Sequence, residues 1–390
     1  MARAVVTGLG LIAATGSTAT ASLPDMYRGV RKHRPLSLFS AQVQKHSPVF
    51  EVDHPALQNS VSRSLDLAMI AVQEALQQAG LDRDFTKRCK AATAIGTTVG
   101  YLFPDHNFYS AFKKEMYPKR KAVEDFLAVN PAVAIAKSYK CLRLAVTVGN
   151  ACASGTDAVG IAKLWIEQGL CDVVIAGGTD ELCRTTYLGF TALLLTSPEA
   201  CKPFDKNRKG LNLGEGAGIL VVESDEHAKK RGAKILVEIS GYGCNADAYH
   251  PTAPHPHGTG IKRAMTAALK QSGAAQNEIA FVNAHGTSTQ ENDLVEGKAI
   301  AEIVGNSIPV VSTKSFTGHT LGAAGAIEAV FTIQNLLDRK IPPTAGFEIA
   351  DPACAIVPSQ SESTIHGEFA ISNSLAFGGQ NSVLVFRAAS

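Results

Sequence analysis

The sequence predicts an α/β protein built from two similar halves. Three observations carry that expectation. Short apolar strands alternate along the chain with longer segments of helical periodicity. Two runs, residues 172–176 and 218–222, are apolar almost without a break, the pattern of strands covered on both faces. Hydrophobic residues make up 45% of the 390 positions and charged residues 18%, enough for a large core and too apolar for a disordered chain.

Each element follows from its own pattern. Residues 4–9 read as a strand entering a glycine turn, not as a signal peptide, because Gly8, Gly10, Thr15 and Gly16 interrupt the apolar stretch. Leu65, Ala68, Met69, Val72 and Leu76 share a helical face, and Gly80 stands where a C-terminal cap belongs. Residues 91–95 form a strand followed by the turn Gly96, Thr97, Thr98. Residues 144–148 form another, after which residues 150–155 open a helix running through Trp165. That helix is apolar nearly all round, so it is expected to be buried. The alternation resumes after Arg231, with strands at 235–239, 280–283 and 309–311 and helices at 260–271, 292–304 and 321–338. Residues 369–372 and 382–386 close the chain as a hairpin. The halves divide between Ser224 and Lys234, giving residues 1–230 and 231–390, with no legible repeat between them.

Composition narrows the function classes. Lys plus Arg total 37 against 35 for Asp plus Glu, a net charge of +2, and no basic block suggests a nucleic-acid footprint. Eight scattered cysteines without CxxC spacing make neither a disulfide scaffold nor a zinc site, which fits a reducing cytoplasm. No apolar run approaches the roughly 18 residues of a membrane span.

Cys152 follows a strand and begins a buried helix among Ala151, Ala153, Ser154 and Gly155. Small neighbours admit a substrate, and helix amides favour a thiolate, so a lowered thiol pKa is expected there. A buried cysteine in such a turn is also ordinary packing. Two histidines sit in Gly/Thr-rich turns after strands: His285 within 283–289, and His319 within 312–319, with Lys314 five positions before it. Strand C-terminal ends are where open α/β folds place ligands. Thr287 and Thr289 supply neutral partners for a polar linker, and Phe377, Gly378 and Gly379 offer unobstructed backbone N–H groups.

On these residues the chain resembles the β-ketoacyl-acyl carrier protein synthases of the thiolase superfamily, the elongating type with a Cys-His-His triad. The resemblance runs nearly end to end, through residues 5–10, Cys152, 202–206, 214–218, His285, 314–325 and 373–381. Thiolases would show a second cysteine, and chain-initiating synthases an asparagine, where His319 stands. The resemblance implies a thiolase-like fold with two α/β halves in αβαβα layers. It implies that Cys152 accepts an acyl group from acyl carrier protein or a coenzyme A thioester. Malonyl-carrier protein then loses carbon dioxide, and its enolate attacks the acyl-cysteine. His285 and His319 would hold the malonyl thioester oxygen, with Lys314 ordering them. The N–H groups of Cys152 and Phe377 would form a second oxyanion hole. Thr287 and Thr289 would bind the phosphopantetheine arm, Phe377 would gate the site, and Glu328 would be structural or water-ordering. No metal and no permanently bound cofactor is implied, the 4′-phosphopantetheine belonging to the carrier protein. A two-fold dimer, with itself or a homologue, is implied as well.

Four departures from the family pattern stand out. Ala376 replaces the usual glycine before the gating phenylalanine, which is expected to stiffen the gate. Ala253 stands where many members have serine near the arm. The segment 31–60 is short, and residues 101–121 are unusual, with Pro104, Phe108, Tyr109 and Phe112. Two alternatives stay open: a specialised polyketide or aryl-polyene ketosynthase working with a chain-length-factor-like partner, and a largely non-catalytic partner subunit. The retained Cys152 counts against the second.

Overall fold

The computed structural model describes residues 2–58, 60, 62–100, 106–114, 124, 130–141 and 143–389. The first half supplies strands β1 (Ala4–Ala13), β2 (Ala91–Gly96), β3 (Ala145–Val148), β4 (Val173–Asp180) and β5 (Gly216–Ser224). The second supplies β6 (Val237–Ala246), β7 (Ile279–Asn283), β8 (Val310–Val311), β11 (Phe369–Ala376) and β12 (Gln380–Ala388), while β9 (Lys340–Ile341) and β10 (Ser363–Thr364) form a separate ribbon. The ten main strands make one sheet in the order β3-β2-β4-β5-β1-β6-β12-β11-β7-β8. Each half has the same pattern. β3, β2 and β4 are parallel and β5 and β1 antiparallel; β8, β7 and β11 are parallel and β12 and β6 antiparallel. The halves meet where Val5 and Val6 pair with Glu238 and Val237.

The helices are α1 (Ala19–Tyr27), α2 (Arg63–Ala79), α3 (His106–Lys113), α4 (Pro131–Tyr139), α5 (Ser154–Glu167), α6 (Arg184–Ala192), α7 (Asp225–Lys230), α8 (Thr259–Ser272), α9 (Gln290–Ile303), α10 (Lys314–Thr317) and α11 (Ala324–Asp338). α2 covers β1, β4 and β5 on one outer face, and α8 covers β6 and β12 on the other, with α9 beside it. α5 and α11 pack on each other between the halves, α5 against β2 and β4 and α11 against β5 and β11. The order of packing is helix, first half of the sheet, helix, second half of the sheet, helix. Small residues make the middle layer thin. A Cβ on Gly155 would lie 2.8 Å from the carbonyl oxygen of Gly322, so α5 and α11 approach as only glycine allows.

Two elements differ from the sequence expectation. β1 does not turn at Gly8 and Gly10 but continues to Ala13, with a register shift between Val6 and Gly8. Side chains there would run into the carbonyls of Ala75 and Ala71 on α2, so these glycines mark close approach, not a turn. The helix expected over 321–338 starts as a 3₁₀ turn, Leu321–Ala323, before α11. Within the unusual 101–121 segment, Tyr109 and Phe112 on α3 are exposed, whereas Pro104 and the Phe108 side chain lie outside the described residues. Among the described residues no helix is long and apolar enough to cross a membrane.

Candidate active site

The strand-to-helix turn after β3 presents Cys152. Ala151 takes φ 45°, a left-handed conformation costly for a residue with a Cβ. Short polar contacts hold it. Asn150 N donates to Ser154 Oγ at 2.7 Å, Ser154 Oγ donates to Ala151 O at 2.6 Å, and Asn150 Nδ2 donates to Asp157 Oδ2 at 2.5 Å. Asp157 also accepts from Tyr242 (2.9 Å) and Ser382 (2.5 Å), so the second half of the chain braces the turn. The Cys152 side chain is left only 4% exposed.

His319 comes from the second half and is held by the first: its N–H donates to Asn212 O at 2.7 Å. Its Nε2 lies 2.9 Å from Cys152 Sγ, while its Nδ1 has no hydrogen-bond partner among the described residues. His285 stands 5.3 Å away, ring centroid to centroid, and nearly perpendicular to it at 87°. Glu296 on α9 fixes the His285 turn, accepting the N–H groups of His285 (2.7 Å) and Gly286 (2.8 Å). Behind His285, Lys314 Nζ donates to His285 Nδ1 at 3.0 Å and pairs with Glu328. An ammonium can only donate, so Nδ1 is the acceptor and the neutral ring carries its proton on Nε2.

A cavity of about 520 Å³ opens onto Cys152, His285 and His319 and is also lined by Thr287, Thr289 and Phe377. The hydroxyls of Thr287 and Thr289 lie 2.9 Å apart. Phe377 stacks on Phe190 of α6 at 5.4 Å and 17°. Ala376 ends β11 opposite Gln380, and the hairpin turn beyond it is made by Gly378 (φ 85°) and Gly379 (φ 79°). Ala253 is also in the cavity wall. Lys314 and Glu328 do not line the cavity; they form the buried layer behind it.

Electrostatics correct one sequence expectation. Burial pushes the Cys152 thiol up to about 12, although the Lys314 charge and the N–H groups of Phe377 and Cys152 act the other way. The expected lowering fails because α5 proper starts only at Ser154, and because Cys152 is almost wholly buried. Burial, followed by the nearby Lys314 charge, holds both His285 and His319 well below the usual imidazole range, so both are neutral at pH 7. Burial also raises Glu328 to about 7, against the pull of Lys314.

Cys152, His285, His319, Thr287, Thr289 and Phe377 converge on this cavity, with Lys314 and Glu328 in the layer behind it. Asn150, Ser154, Asp157 and Glu296 were not singled out. The available signal was acidic residues at positions that helical spacing turns inward, Asp157 on α5 and Glu296 on α9, both buried.

A buried cysteine lies 2.9 Å from one of two adjacent neutral histidines, where two matching α/β halves of a thiolase-like fold meet. Residues 5–228 match the family model of the beta-ketoacyl synthase N-terminal domain, and residues 236–348 that of the C-terminal domain. The chain belongs to the β-ketoacyl synthase family of acyltransferase-class condensing enzymes. It is 36% identical over 409 aligned residues to 3-oxoacyl-[acyl-carrier-protein] synthase 2 of Staphylococcus aureus (strain COL), covering 99% of this chain and 98% of the relative. To the protein of that name from Synechocystis it is 37% identical over 414 residues, covering 99% and 98%. Among solved structures it is similar to a type II polyketide synthase acyl-carrier protein in complex with its ketosynthase bound to the hexaketide, at TM-score 0.92 and 30% identity over 100% of both chains. The ishigamide ketosynthase/chain length factor gives 0.91 and 32%, again over 100% of both. A Burkholderia phymatum β-ketoacyl synthase gives 0.89 and 33%, with the same coverage.

Proposed function

We propose that this cavity performs the decarboxylative condensation of malonyl-carrier protein with an acyl group held on Cys152. The observation that carries this reading is the pair of neutral imidazoles, one 2.9 Å from the sulfur and one with its Nδ1 occupied by Lys314. In the first half-reaction the Cys152 sulfur attacks the acyl thioester carbon, the bond to the pantetheine sulfur breaks, and the thiol proton leaves with that sulfur. In the second, the bond from the malonyl carbon to its carboxylate breaks and the electron pair forms an enolate. The enolate oxygen accepts hydrogen bonds from His285 and His319, which, being neutral, donate without adding a charge that would compete for the carboxylate. Such donors are worth a few kcal/mol each. The enolate carbon then attacks the acyl-cysteine carbonyl, whose oxyanion accepts from the N–H groups of Cys152 and Phe377. Collapse releases the elongated chain and the Cys152 thiolate, which is reprotonated.

The malonyl thioester arrives on an acyl carrier protein and the acyl group on a carrier protein or a coenzyme A thioester; relatives of this chain act with or on acyl carrier protein by name. Its 4′-phosphopantetheine arm lies along Thr287 and Thr289, with Phe377 as the gate, and nothing in these steps needs a metal. Lys314 and Glu328 keep His285 in its donor tautomer. The nucleophile half, 1–230, and the histidine half, 231–390, act together. The eight cysteines are all free thiols, in keeping with a reducing, cytoplasmic setting. The protein works as a dimer through the edge of β3 that no strand covers among the described residues, either with a second copy or with a homologous subunit. The likeness to the ishigamide ketosynthase/chain length factor favours keeping the second arrangement in view. Intact mass after incubation with a panel of acyl-carrier proteins tests the nucleophile. The wild-type protein gains one acyl group and Cys152→Ala gains none; an acylated Cys152→Ala protein would move the nucleophile elsewhere.

A further inference from the structure

Arg208 does not line the cavity, yet its side chain is 2% exposed and every arm of its guanidinium is engaged. Nε donates to Thr289 O at 3.3 Å and Nη2 to Gln290 O at 2.8 Å. Nη1 donates to Asp205 O at 3.0 Å and to Asp351 Oδ2 at 2.6 Å. Gln290 Nε2 answers by donating to Arg208 O at 2.5 Å. The segment gripped in this way is left-handed at Gly286 (φ 42°), which glycine accepts freely, and strained at Ser288 (φ 71°), a conformation that residues with a Cβ rarely adopt. Ser288 is fixed on its remaining sides. Its N–H donates to both oxygens of Asp293 at 3.1 Å, its carbonyl accepts from Gly210 N–H at 3.1 Å, and its hydroxyl accepts from Lys202 N–H at 2.8 Å.

The strained turn has a result inside the cavity. An extended chain would space residues two apart by roughly 7 Å, but here the hydroxyls of Thr287 and Thr289 come within 2.9 Å of each other in the cavity wall. We infer that Arg208 is a positioning residue for these threonines: it holds the Thr287–Gln290 backbone in its left-handed turn and so sets recognition of the thioester arm, not the chemistry at Cys152. This rests on the reading of Thr287 and Thr289 as arm contacts. A planar fork can hold two successive carbonyls and a carboxylate at once, which the single ammonium of lysine cannot do.

The test compares Arg208→Lys, Asp351→Asn, and a Thr287→Val, Thr289→Val double variant by steady-state kinetics with acyl- and malonyl-carrier protein. Alkylation of Cys152 by iodoacetamide, which carries no arm, is measured alongside. Arg208→Lys is expected to raise KM about tenfold or more while kcat changes by less than about threefold and alkylation keeps its wild-type rate. In the double-valine background it should add less than about twofold to KM, because both changes act on one contact. A fall in kcat at unchanged KM would show mere loss of folded protein and overturn the proposal. Should Arg208→Lys fail to fold, Asp351→Asn, which takes the charge from the outer anchor and leaves a weaker acceptor, must still raise KM; an unchanged KM there also overturns it. A wild-type KM in the double-valine variant would sink the arm reading itself, whereas a raised KM there with none in Arg208→Lys would sink the positioning role alone.

Discussion

Burial decides the charge state at Cys152, and with it how its thiol behaves toward a small alkylating reagent. A thiol pushed up to about 12 keeps its proton throughout the neutral range, and the reactive thiolate fraction grows tenfold for each pH unit. The iodoacetamide alkylation rate of Cys152 should therefore rise with a slope near one on a log scale from about pH 6.5 to 9.5, without levelling. A plateau below about pH 8 would mean that the helix amides outweigh burial after all. Cys152, His285, His319 and Lys314 were legible in the sequence because each stands in a short turn of small residues after a strand. Their protonation was not, because it depends on which distant side chains seal the cavity. The supports were hidden for the same reason: Ser382 reaches Asp157 across 225 positions, and Arg208 reaches Gln290 across 82.

Elements show the same division between pattern and partner. The spacing on α2 and its Gly80 cap, in the left-handed conformation at φ 67°, follow from the sequence alone. Whether Gly8 and Gly10 end β1 or carry it past α2 depends on Ala71 and Ala75, which no local pattern shows. β3 is the element whose surroundings matter most for assembly. It pairs with β2 on one side, and among the described residues no strand covers the other. Ala145 is exposed and Val146 to Val148 are half-buried, so an apolar edge with unpaired backbone groups faces outward. Sedimentation at micromolar concentration should give a dimer, alone or with a homologous subunit. A Val146→Lys variant should shift it toward monomer by placing a charge on that edge. A stable wild-type monomer under both conditions would contradict the edge-strand assembly. Because β3 runs straight into the Asn150–Asp157 brace, assembly through it would also support the nucleophile turn.

At the scale of the whole molecule, the site exists only because the two halves face each other across α5 and α11. The first half contributes Cys152 and the loop that holds His319; the second contributes His285, Lys314 and His319 itself. Alternation of strands and helices made the two halves legible, but their facing depends on glycine-lined contacts such as Gly155 against Gly322. On the proposed mechanism, placing Cys152 and the two imidazoles apart in sequence also separates their work. In that mechanism, acyl transfer uses the sulfur and the backbone N–H groups, whereas decarboxylation uses the imidazoles. The most direct test is release of labelled carbon dioxide from malonyl-carrier protein by His285→Ala and His319→Ala, read against the acyl mass gained at Cys152 by the same samples. Loss of one donor should lower carbon dioxide release by about a hundredfold or more, at tenfold per roughly 1.4 kcal/mol, while acylation survives in part. Normal decarboxylation by variants that cannot be acylated would contradict the account and make the histidines activators of the thiol.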